Sequence, residues 1–166
     1  MKRKYIYIIL TTAIGLFVLW TGFLWKIFSC GIAGSYPCVK TWSLNVSESK
    51  PIEIINDLKK EHPELEPPNV PYPTSGRNSY WYDFTFYYED TNENVQTWIR
   101  QNEDTTWTTI ALVTISTHID SLTPISEMSA MSTKEINRDY GYFQNKKEIS
   151  KFESKILSLI RQKIHK

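Results

Sequence analysis

Histidine is the side chain best suited to moving a proton near neutral pH, and this chain holds three: His62, His118 and His165. Only His118 has a companion at useful spacing. Asp120 lies two residues on, so in an extended segment both side chains project from one face. A carboxylate beside an imidazole orients the ring and stabilises its charged form, and with a serine the pair sketches a nucleophile–base–orienter set. No G-x-S-x-G elbow accompanies it. His62 precedes a proline and His165 is penultimate, so neither suggests a site. A hydrolase using His118 and Asp120 is therefore the less favoured expectation.

The other chemistry-bearing residues are few. Cys30 and Cys38 flank the run GIAGSYP. The spacing is not the C-x-x-C of a redox pair, and two thiols without a nearby His make a poor zinc site. The expected role is a disulfide closing a short loop, a contribution of about 2.5 kcal/mol in the chain-entropy account. Acylation of Cys30 is the alternative, and it leaves Cys38 as an odd thiol. Asp90-Thr91-Asn92-Glu93-Asn94 begins like a calcium loop, but the sixth position is Val95 rather than Gly and the twelfth is Gln101 rather than Glu. A hairpin turn accounts for these residues. With no phosphate loop, dinucleotide fingerprint or H-x-x-x-H pair, no cofactor or metal is expected.

A row of aromatic residues is the remaining candidate. Over residues 79–89 Tyr80, Tyr82, Phe84, Phe86 and Tyr88 alternate with Trp81, Asp83, Thr85 and Tyr87. In a strand the five rings share one face. Such a row suits a core face under a helix; the alternative is a ligand face for a small molecule or lipid, between this strand and a C-terminal helix.

The elements that position these residues follow from periodicity. Residues 39–46 alternate as a first strand. Ser49 to His62 carries Ile52, Ile55 and Leu58 at helical spacing, with Pro51 in the first turn and Pro63 as the stop. Five prolines between 63 and 73 imply an extended crossover. After the aromatic strand, short polar turns separate strands at 95–101 and 107–119, which predicts antiparallel neighbours. Apolar residues on both faces of the last of these predict a central strand. Residues 126–138 read as a weak helix. From Lys146 a stripe of Ile149, Phe152, Ile156, Leu159, Ile160 and Ile164 predicts a terminal helix packed on the sheet. The expected fold class is α+β: a small antiparallel sheet of about four strands packed with two main helices, preceded by a transmembrane helix.

That last element rests on residues 5–25, an uncharged stretch behind Lys2, Arg3 and Lys4. As a helix it rises about 31 Å, close to the ~30 Å hydrocarbon thickness of a bilayer. The basic residues before it predict a cytoplasmic N-terminus. The expected organisation is a tail at 1–4, a transmembrane signal-anchor helix at 5–25, a juxtamembrane linker at 26–38 and an extracytoplasmic domain at 39–166, periplasmic in a bacterium. A lipoprotein acylated at Cys30 is the alternative, and a cleaved signal fits the long apolar run less well.

Residues 31–166 hold 15 Lys and Arg against all 18 Asp and Glu, a net charge of −3. Such a balance argues against nucleic acid as a partner. The expected function is a membrane-anchored, single-pass accessory protein that binds another envelope or surface protein.

Overall fold

The computed structural model describes residues 11–21, 38–70, 73–77, 80–102, 106–119 and 133–165. The chain divides into two compact units, residues 1–38 and 39–166.

In the first unit the described residues 11–21 form a helix, α1. Its Ile14, Leu16, Phe17, Val18, Leu19 and Trp20 are 57–72% exposed. Among the described residues no helix is long and apolar enough to cross a membrane. Eleven helical residues rise about 16 Å, roughly half the hydrocarbon thickness. This corrects the expectation of a transmembrane signal anchor over 5–25 and of a single-pass membrane protein. The cytoplasmic N-terminus and the extracytoplasmic placement of 39–166 rested on that span and fall with it. Residues 5–10 and 22–25 lie outside the described residues, as does Cys30. Cys38 is buried and disulfide-bonded.

The second unit is α+β, with an antiparallel sheet of six strands rather than four. The strands are β1 (Lys40–Leu44), β2 (Ser75–Arg77), β3 (Tyr82–Tyr88), β4 (Glu93–Gln101), β5 (Thr108–Thr117) and β6 (Thr133–Glu135). Their order is β1-β5-β4-β3-β2, and β6 also pairs with β5. The two additional strands, β2 and β6, have three residues each and no apolar alternation that would announce them. β6 replaces the end of the helix expected over 126–138, and residues 126–132 lie outside the described residues.

β3 and β4 form a hairpin with Phe86 opposite Val95 and Tyr82 opposite Ile99. Asn92 closes its turn in the left-handed region, φ 52°, a conformation that Asn tolerates better than most residues. β4 then pairs with β5 through a bulge. Gln96 faces Thr114 and Thr97 faces Leu112, so Val113 is an extra residue. β5 is central, as its two apolar faces predict, and Ala111, Leu112 and Val113 are fully buried.

Two helical stretches cover one face. α2 (Ser49–Glu61) buries Ile54, Ile55 and Leu58. The C-terminal helix consists of α3 (Tyr142–Phe152), a π-helical turn (Glu153–Leu157) and α4 (Ser158–Ile164). It buries Phe152, Ile156, Leu157 and Ile160. A π turn widens the repeat to i→i+5, which aligns Leu157 with Phe152. A regular 3.6 stripe omits Leu157 for this reason. Trp42 of β1 locks the junction: its ring stacks on Phe152 at 5.2 Å, and its Nε1–H donates to Glu153 Oε1 at 2.8 Å.

Candidate functional site

The aromatic row of β3 divides once the helices are in place. Phe84, Phe86 and Tyr88 are 0, 0 and 1% exposed, with Tyr82 packed at the edge of the same cluster. They meet Ile55 and Leu58 of α2 and Phe152 and Ile156 of the C-terminal helix within one core. Tyr80 leaves the row, because β3 begins at Tyr82 and the chain bends before it. It is 64% exposed, and the Arg100 guanidinium lies 4.5 Å from its ring.

Lys59 of α2 reaches over the same aromatic residues, 5.4 Å from Phe86 and 5.9 Å from Phe84. It donates to the Thr85 carbonyl at 2.7 Å and pairs with Glu66 at 2.7 Å. Burial pulls its pKa down, and the Glu66 hydrogen bond opposes that shift. Lys59 thus occupies an acceptor on the edge of β3 just beyond the end of β2.

At the far end of β3 the C-terminal helix grips the hairpin turn. Lys151 Nζ sits 4.3 Å from the Tyr88 ring, 3.4 Å from Asp90 and 3.7 Å from Glu93, and donates to Thr91 Oγ1 at 2.8 Å. Lys155 pairs with Asp90 at 3.0 Å. The hydrogen bond from Lys155 holds the Asp90 carboxyl below its usual range. Beneath this layer Glu148 is buried, and its carboxyl is pushed up by desolvation and then by the charge of Glu93. The Tyr88 and Tyr140 phenols are pushed up by burial and then by Glu148. The Tyr88 hydroxyl and Glu148 Oε2 are buried without a hydrogen-bond partner. The two lysines are committed to the turn, so the cluster holds the hairpin against the helix.

His118 is buried at the end of β5. Its Nδ1 lies 3.0 Å from Asn94 Oδ1, its backbone N–H donates to the Asn92 carbonyl at 2.9 Å, and its ring meets Tyr87 edge-on at 4.9 Å. Its Nε2 has no hydrogen-bond partner. Asp120 lies outside the described residues, so the expected pair is not brought together among them.

The second face of the sheet carries the residues that alternation turned away from the helices. Across β3 and β4, Asp83 faces Trp98, Thr85 faces Gln96 and Tyr87 faces Asn94. Toward β5 the side chains of Asn94 and Thr114 are buried, while Trp81, Asp83, Thr85, Gln96, Trp98 and Arg100 keep part of their surface in solvent. No described helix of this unit packs over them, since both contribute their buried residues to the opposite core. Trp81 and Trp98 lie 5.5 Å apart, and Arg100 spans the Tyr80 and Trp81 rings. Asp83 lies across from Trp98 in the register; burial pushes its carboxyl up, and the neighbouring Trp98 indole opposes that shift. Beside this group a cleft of about 430 Å³ opens between β2, β3 and β4, with Ser75, Gly76, Arg77, Asp83, Thr85 and Gln96 in its wall.

Sequence reasoning passed over this group because Trp81, Asp83 and Thr85 read as the ordinary reverse side of a core strand. The signal available was the Trp at 81 and at 98, two large rings on the outward phase of adjacent strands. No family model, curated protein or solved structure matches the chain.

Proposed function

We propose that residues 39–166 act as a binding module that holds its partner against the second face of the sheet, over β2, β3 and β4. The observation that carries this is the grouping of Tyr80, Trp81, Trp98 and Arg100 beside a polar cleft on a face that the described helices of this unit leave uncovered. Binding sites combine aromatic area with a few placed polar groups, and that combination is gathered here. A protein partner would engage the same Tyr, Trp and Arg side chains, the residue types that most often dominate interface energetics. It is the alternative occupant.

A photoreactive amino acid tests the face directly. It is placed in the full chain at Tyr80, and in a second protein at Lys60, an exposed α2 residue on the helix side. Irradiation in the producing cells is expected to give a discrete adduct from the first position and none from the second. Equal labelling from both positions, or none from Tyr80, would remove the second face as the binding surface.

A further inference from the structure

We infer that the ligand of this face is a neutral saccharide, seated in the β2–β3–β4 cleft with a sugar ring against Trp98 and Trp81; this rests on the binding-face proposal above. Four features of the cleft favour that chemistry.

The first is shape. Gly76 is the register partner of Asp83, and a Cβ built there meets no atom within 4 Å. The missing side chain leaves an open trough beside the carboxylate, wide enough at about 430 Å³ for a sugar residue or two.

The second is hydrogen bonding. Gln96 Oε1 already accepts from the Thr114 hydroxyl at 3.1 Å, which leaves its amide nitrogen as a donor. The Asp83 carboxylate offers acceptors only, and Ser75 and Thr85 add hydroxyls. Donors and acceptors interleave over a short distance. A sugar hydroxyl, which both donates and accepts, satisfies such a set.

The third is charge. Arg77 is paired with Glu48 at 2.7 Å, and Arg100 lies over two aromatic rings. With Asp83 these cations leave no concentrated field of either sign. A phosphate or a metal ion finds no matching charge here, whereas an uncharged polyol is electrostatically complementary.

The fourth is the apolar component. The outward residues of β3 and β4 are Asp83, Thr85, Tyr87, Asn94, Gln96, Trp98 and Arg100, joined by Trp81 just before β3, with no aliphatic side chain among them. The core of a protein interface is richer in apolar area. Flat aromatic rings next to hydrogen-bonding groups match the C–H face and the hydroxyl rim of a pyranose.

The full chain is screened against neutral oligosaccharides of gluco, galacto, manno and xylo configuration, with tryptophan fluorescence as the readout because Trp98 lies across from Asp83 of the cleft wall and Trp81 lies 5.5 Å from Trp98. At least one series is expected to shift the emission. Trp98→Ala and Gly76→Leu should each weaken that binding by about tenfold or more. Gly76→Leu fills the trough where the structure has space, so the fold is retained and the thermal midpoint reports it. Tyr142→Ser, at an exposed position on α3, should change nothing. Absence of any response at roughly 10 mM sugar, or binding that Gly76→Leu leaves intact, overturns the saccharide. Failure here is separable from failure of the binding face. No sugar response together with a discrete protein adduct from the Tyr80 position refutes the ligand class and leaves the face standing, while no response and no adduct refute both.

Discussion

Alternate residues of one strand meet opposite fates in this protein. Phe84 and Phe86 of β3 are wholly buried under α2 and the C-terminal helix, while Asp83, Thr85 and Trp81 just before the strand look away from both helices and keep solvent contact. Both phases of the strand carry aromatic rings, so aromatic content does not separate a core from a recognition surface. What separates them is the neighbour across the sheet. Phe86 faces Val95 and packs on aliphatic helix residues. Thr85 faces Gln96, and Asp83 faces Trp98. Aliphatic neighbours close one side, and amide, hydroxyl and indole neighbours leave the other polar and in part exposed.

The contrast is sharpest in stability. Phe84→Ala empties a fully packed site and is expected to cost about 3–5 kcal/mol by urea denaturation. A cost near that of an ordinary surface substitution would mean that the helix-covered face is not the core. Lys59→Ala comes next, at about 2 kcal/mol, because it leaves Glu66 and the Thr85 carbonyl without their cation. An unchanged urea midpoint would show that this lysine does not hold α2 to β3.

Glu148→Gln probes the polar end of the covered face and has the opposite sign. The folded-state pKa of Glu148 is raised, so the folded protein binds that proton more tightly than the unfolded chain. The resulting stabilisation is complete below the ordinary value of 4.5 and is lost as pH rises through the raised folded value. At neutral pH the buried carboxylate is a cost, and Glu148→Gln should raise the thermal midpoint by the equivalent of at most about 1 kcal/mol. The gain should vanish by pH 4. A loss at neutral pH would instead assign the carboxylate a stabilising partner. The smallest effect belongs to the second face: Thr85→Ala should fall within about 0.5 kcal/mol of the parent. A larger loss would show that this face, too, is packed for stability.

Much of the fold was legible. The Ile and Leu spacing of α2, the strand alternation at β3, the polar hairpin at residues 90–94 and the apolar stripe of the C-terminal helix are local patterns with one dominant period each. The misreadings have local causes as well. β2 and β6 are held by pairing with longer neighbours and not by their own side chains, so three residues of each carry no signal. Leu157 was hidden by a π turn that breaks the 3.6 repeat. The membrane span rests on the length and hydropathy of an uncharged stretch behind basic residues, and the described helix over residues 11–21 is too short to support it. The candidate site was the least legible part, because Trp81 and Trp98 are 17 positions apart and become neighbours only through hairpin register.

The sequence by itself determined the alternation: which side chains of β3 share a face, and that one set is aromatic and the other mixed. That follows from the extended backbone, whose two-residue period is a local property. Which set would be sealed was decided only in the tertiary structure. α2 lies before β3 and the C-terminal helix far after it, and both deliver aliphatic residues to the same side. Closing a face takes contacts between segments distant in sequence, and no local period encodes which side they will take.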